Sequence, residues 1–124
     1  MVKKVDRTPV GAHYGWQDWL AQRVTAFIMV LFSLVLIAFV VAKGSVAYAD
    51  WRDLFAAPLM RVLTLLFFLS MFYHAWIGAR DILMDYIKPV LLRLALEVGV
   101  IVFLVGCAIW TVSILWSVPA IGSI

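Results

Sequence analysis

A chain of 124 residues that is 66% hydrophobic and only 14% charged does not fit a soluble domain, which runs about 45–50% apolar and about 25% charged. It fits disorder no better, because disorder requires low hydrophobicity. Ten basic against seven acidic residues give a net charge of +3, and the basic residues form no patch of the kind that binds nucleic acid. What is left is an integral membrane protein with no room for a soluble catalytic domain.

Residues 1–22 are mixed and polar, with Lys3, Lys4, Asp6, Arg7 and Asp18 beside the ring-bearing His13, Tyr14, Trp16 and Trp19. Val24 to Ala42 then runs without a charge between Arg23 and Lys43, which predicts a first membrane-spanning helix over about 22–43, since a span needs roughly 20 apolar residues. Ala47-Tyr48-Ala49 resembles a signal-peptidase site. The apolar run before it exceeds the roughly 7–15 residues of a signal-peptide core, so the helix is read as retained. Residues 43–57 form a short polar connection with Gly44, Asp50, Arg52 and Asp53.

Pro58 suits the first position of a second helix, where its missing N–H is no loss. That helix is predicted over about 58–87, because Lys88 precedes Pro89 and is steered away from helical geometry. A third covers about 93–118 and stops at Pro119. In it Ala95, Gly99, Gly106 and Ser113 share roughly one side, a seam for close helix packing. The one cysteine, Cys107, lies within this span, which excludes an internal disulfide or a cysteine-ligated cluster. The fold class is all-α, a single membrane domain over residues 1–124 with three transmembrane helices.

Orientation follows from counting Lys and Arg on each side. The N-terminal segment (Lys3, Lys4, Arg7, Arg23) and the second connection (Arg80, Lys88, Arg93) hold seven, against three for Lys43, Arg52 and Arg61. The N-terminus and the second connection are therefore expected in the cytoplasm and the C-terminus outside.

His74 is the informative polar residue. It lies six residues before Arg80, about 9 Å deeper along the helix axis, and an ionisable ring at such depth faces a partner rather than lipid. Two readings stand: a neutral histidine bonded to a neighbouring helix, or an axial ligand to haem iron. Ser70 and Gly78 flank it one turn to either side, and both are small enough to clear a macrocycle. Asp81 and Asp85 continue the same stripe to the cytoplasmic surface. Arg23, at a compatible depth on the first span, offers a fork suited to haem propionates, or else snorkels to the interface. Tyr86 could donate a hydrogen bond to a quinone carbonyl, with Asp85 beside it, or could belong to the interfacial aromatic belt. One histidine within the membrane is too few for bis-histidine ligation, and His13 lies outside it. Haem, if bound, thus requires a second chain and a hetero-oligomeric helix bundle, or a homodimer.

The run His74-Ala75-Trp76-Ile77-Gly78, then Asp85-Tyr86-Ile87-Lys88-Pro89 and Leu92-Arg93, resembles the small hydrophobic membrane-anchor (D) subunits of bacterial succinate dehydrogenases. The similarity covers about residues 18–118 and includes Arg23-Val24-Thr25-Ala26. It implies that a flavoprotein subunit oxidises succinate and an iron–sulfur subunit carries the electrons. A second membrane anchor, the cytochrome b-type C subunit, then shares haem b and ubiquinone with this chain in the lipid of the inner membrane. By the same resemblance His74 is a haem iron ligand, Arg23 contacts haem or its propionates, Tyr86 bonds the quinone, and Asp85 pairs with an arginine of the companion anchor. No residue of this chain acts on succinate; it is a subunit of the enzyme. A fumarate reductase anchor or another quinone-linked cytochrome b is the nearest alternative, and a non-redox membrane scaffold the more distant one.

Overall fold

The computed structural model describes residues 15–119. Within them lie α1 (Gly15–Lys43), α2 (Tyr48–Ala56), α3 (Pro58–Tyr86) and α4 (Val90–Ser117), and no strand among the described residues. The fold is all-α, and α1, α3 and α4 are each long and apolar enough to cross a membrane. Helices of 28 or 29 residues are about 43 Å long at 1.5 Å per residue. The hydrocarbon layer is about 30 Å thick, so each helix carries about a turn beyond it at either end. Lys3, Lys4, Arg7 and His13, which entered the charge count and the ligand argument, lie outside the described residues.

Helix α1 is already helical at Gly15, the first described residue and well before the expected residue 22. Its first turns are polar, and they stay helical because Asp18 reaches across to Arg80 of α3. An acidic residue there also suits the positive end of the helix dipole. The other end closes on Gly44, whose φ of 71° is the left-handed geometry that favours glycine just past a helix. Its N–H bonds Val40 O at 3.1 Å.

The polar connection carries a helix of its own, α2. Asp50 closes its first turn by accepting from Ala47 N–H at 2.9 Å and from Lys43 Nζ at 2.8 Å. Trp51 packs on Phe39 of α1, ring centroids 5.7 Å apart. Ala57 alone separates α2 from α3, in extended geometry at φ −67°, ψ 126°, as the following proline demands. Pro89 makes the corresponding break between α3 and α4. At the α2 end of the molecule, Arg61 donates from Nε to Phe55 O at 3.0 Å and from Nη2 to Val118 O. It thereby supplies donors to carbonyls that the ends of α2 and α4 leave without helical partners.

Helix α3 is the hub, with α1, α2 and α4 all packed on it. The most buried large side chain is Ile77, 1% exposed. The small-residue row of α4 does not form the expected seam within this chain. Ala95, Gly99, Gly106 and Ser113 are exposed, and a Cβ added at either glycine would meet nothing within 4 Å. The inward face is instead Leu104, Cys107, Ala108, Thr111 and Leu115, at a helical spacing along the side that meets α3.

Candidate functional site

The site is built on the antiparallel seam between α1 and α3. Three cross-helix pairs define it: Asp18 with Arg80, Thr25 with His74, and Phe32 with Phe67. On α1 the partners are seven residues apart, which returns to the same face every two turns and sets the rungs about 10 Å apart. Phe32 and Phe67 stack with centroids 4.8 Å apart, an apolar rung in the membrane interior. Asp18–Arg80 is the polar rung at the end of α1, and Arg80 also lies 3.5 Å from Asp81. Thr25–His74 is the middle rung.

His74 is half-buried, and its Nδ1 is 3.0 Å from the Thr25 hydroxyl oxygen. That hydroxyl also lies 2.6 Å from Ala21 O and 3.2 Å from Gln22 O. Thr25 is itself buried, 8% exposed. The other ring nitrogen, Nε2, has no hydrogen-bond partner among the described residues. Of its small neighbours, Ser70 is buried and so packs within the fold. At Gly78 a Cβ would meet nothing within 4 Å, which leaves open space one turn from the ring.

Toward the polar rung, Arg23 sits over Trp19 with its guanidinium carbon 5.3 Å from the ring centroid. That contact, worth about 0.5–1 kcal/mol at an exposed site, holds the cation at the N-terminal part of α1. Arg23, Trp19, Gln22, Asp18, Ile77 and Asp81 line a cleft of about 440 Å³. Arg23 and the helical turn beyond His74 thus share one cleft. Asp85 and Tyr86 lie further on at the end of α3, both exposed, with no side-chain hydrogen bond to either among the described residues. A wholly apolar groove of about 350 Å³ between α3 and α4 involves Leu69, Tyr73 and Trp76. It lies on the other side of α3 and contains none of the candidate residues.

This arrangement fits one half of a haem site. A half-buried imidazole has one nitrogen bonded and the other without a partner, space opens at Gly78, and a guanidinium stands at the same end of the seam. Among the described residues no three His, Cys, Asp or Glu side chains gather to hold a bare ion, and His74 is the one imidazole among them. Thr25, Trp19 and the Asp18–Arg80 pair escape a reading of the sequence alone. The one available signal is that Val24–Ala42 contains only two polar residues, Thr25 and Ser33. Ser33 is exposed and bonds its own helix, so only Thr25 bonds across.

Fold and seam together define a multi-pass helical membrane protein with a partly polar cleft between two of its spans. Residues 3–113 match the family described as succinate dehydrogenase/fumarate reductase transmembrane subunit, and the chain belongs to that family. It is 38% identical over 112 residues to the succinate dehydrogenase hydrophobic membrane anchor subunit of Coxiella burnetii, covering 90% of this chain and 95% of that one. It is 34% identical over 94 residues to the protein of the same description from Rickettsia bellii, covering 74% of each. The chain is a membrane-anchor subunit of this family.

Proposed function

We propose that the chain is one of two small anchors that tether a flavoprotein and an iron–sulfur subunit to the bacterial inner membrane, where the complex passes electrons from succinate to ubiquinone. The N-terminus is cytoplasmic and the C-terminus periplasmic, in keeping with seven basic residues on one side and three on the other. The chain performs no succinate chemistry itself. The observation that carries the reading is His74: its Nδ1 is engaged by Thr25 while Nε2 has no partner among the described residues.

His74 Nε2 would then hold the iron of haem b, with the companion anchor supplying a second ligand. When bound, haem b would supply a one-electron couple. Arg23, steadied on Trp19, pairs with the propionates, and Gly78 keeps the face of His74 clear. Tyr86 donates a hydrogen bond to a quinone carbonyl, a contact worth about 0.5–1.5 kcal/mol. Asp85 orders that site by pairing with an arginine of the companion. The exposure of Asp85 and Tyr86 agrees with roles toward another chain and a diffusible substrate.

The test compares oxidised and reduced absorption spectra of the purified wild-type complex and of His74→Ala. Loss of the low-spin b-type signature in the variant is expected; an unchanged signature removes the ligand assignment, and no haem in the wild type favours a scaffold. In Tyr86→Phe, quinone reduction slows while succinate-to-dye activity is kept. Both relatives carry the name succinate dehydrogenase, which favours that direction of turnover over a fumarate reductase.

A further inference from the structure

We propose that Thr25 is a positioning residue for His74, one that sets which ring nitrogen faces the iron. The inference rests on the haem reading above. A threonine hydroxyl has one hydrogen to donate, and its oxygen can accept. The Thr25 oxygen lies 2.6 Å from Ala21 O and 3.2 Å from Gln22 O, and carbonyls only accept. The hydroxyl hydrogen is therefore committed to its own helix, and toward His74, at 3.0 Å, the oxygen accepts. His74 Nδ1 then carries the ring hydrogen, and in the neutral ring the lone pair is on Nε2. This assignment comes from the hydrogen-bond network: the 2.6 Å approach of the hydroxyl to Ala21 O, shorter than its 3.0 Å to His74, is what assigns the hydrogen to the carbonyl.

The acceptor is fixed in place as well as in polarity. Thr25 is a β-branched residue with restricted χ1, it is 8% exposed, and its rung is bracketed by Asp18–Arg80 on one side and Phe32–Phe67 on the other. A ligating histidine that gives its second N–H to such a partner has its tautomer and orientation set and its basicity raised. A more basic ligand favours the oxidised metal. Thr25 thereby holds the midpoint potential down and the haem in place.

Thr25→Val keeps the side-chain shape and removes the acceptor. The expected result is about a 10–100-fold weaker retention of haem and an upward shift of the midpoint potential. The shift is about 59 mV for each tenfold of affinity lost by the oxidised form alone. Thr25→Ser restores the hydroxyl and with it the wild-type retention and potential. Thr25→Ala also lacks the hydroxyl without crowding the seam, and shifts the potential in the same direction. Adding Thr25→Val to His74→Ala changes nothing further. An unshifted potential in whichever of Thr25→Val and Thr25→Ala assembles overturns the inference. If both fail to assemble while Thr25→Ser assembles normally, the seam needs the hydroxyl and not the shape, and Thr25→Ser must then show the wild-type potential; a shifted potential in Thr25→Ser overturns the inference. If His74→Ala itself keeps the low-spin spectrum, the haem reading fails first; if His74→Ala loses it and Thr25→Val is unchanged, only the Thr25 assignment fails.

Discussion

Shortening Ile77 tests the α1–α3 seam without touching a polar group. Ile77 is 1% exposed, it lies one turn from His74 on α3, and it forms a wall of the cleft that contains Arg23. Ile→Ala substitutions in soluble cores cost about 2–5 kcal/mol and Ile→Val about 0.5–1.5 kcal/mol, with a cavity contribution of about 24 cal/mol per Å³. In a membrane the transfer part of that cost shrinks, since lipid tails are as apolar as the side chain, and lost packing is what remains. The low end applies: about 2 kcal/mol for Ile77→Ala and about 0.5 kcal/mol for Ile77→Val. Overfilling with Ile77→Phe costs about 1–3 kcal/mol. Thermal midpoints of the purified complexes should therefore fall slightly for Val and clearly for Ala and Phe. A flat series, or Ala no worse than Val, would show that Ile77 does not fill a packed seam, and the rungs on either side of it would lose their support.

The remaining rungs and caps make separate predictions. A double-mutant cycle with Asp18→Asn and Arg80→Gln should give a coupling of about 1 kcal/mol in complex stability, the upper end for a partly exposed pair; zero coupling contradicts the cross-helix ion pair. Arg61→Met leaves the Phe55 and Val118 carbonyls without their donor and should lower stability by about 1–3 kcal/mol, with Arg61→Lys between it and the wild type. Equal midpoints for all three would refute the staple. The Lys43 ammonium, followed by the Ala47 N–H, holds the Asp50 carboxyl below its ordinary value of 3.8. Its contribution to α2 is thus complete above that ordinary value and is lost as pH falls through the lowered one. Amide protection in α2 should decline on that acid limb, and Asp50→Asn should remove the dependence; an unaltered limb in the variant would assign it elsewhere.

Much of this architecture is legible in the sequence because the bilayer imposes length and composition directly. Uncharged runs, Pro58 and the Lys88-Pro89 pair mark where helices exist and where they break. Helix α2 is invisible to that reasoning. Nine residues are too few for the spacing of Trp51, Leu54 and Phe55 to sustain a helix alone, and what holds them is Asp50 reaching back to Ala47 and Lys43, together with Trp51 on Phe39. The early start of α1 has the same origin, a tertiary contact from Asp18 acting on a polar stretch. The row of small residues on α4 marks a face without naming its neighbour, because smallness permits close packing on any helix. Ala95 and Gly99 face away from α3, toward whatever lies outside this chain.

The candidate site divides in the same way. His74 is conspicuous from depth alone, since an imidazole within an apolar run demands a partner. Its partner Thr25 is not, because a threonine in a membrane helix ordinarily bonds its own carbonyls, as Thr64 and Thr111 do here at 2.7 and 2.8 Å. Thr25 does this too and accepts from His74 besides. Recognising that requires the register of α1 against α3, which only the three rungs supply.

A density map of the assembled complex, resolved well enough to place the His74 ring, bears most directly on all of this. The expected map has a porphyrin iron bonded to the nitrogen remote from Thr25 and the nearer nitrogen within hydrogen-bonding distance of the hydroxyl. A ring turned the other way, or lipid tails lying against it with no macrocycle present, would contradict the account at its centre.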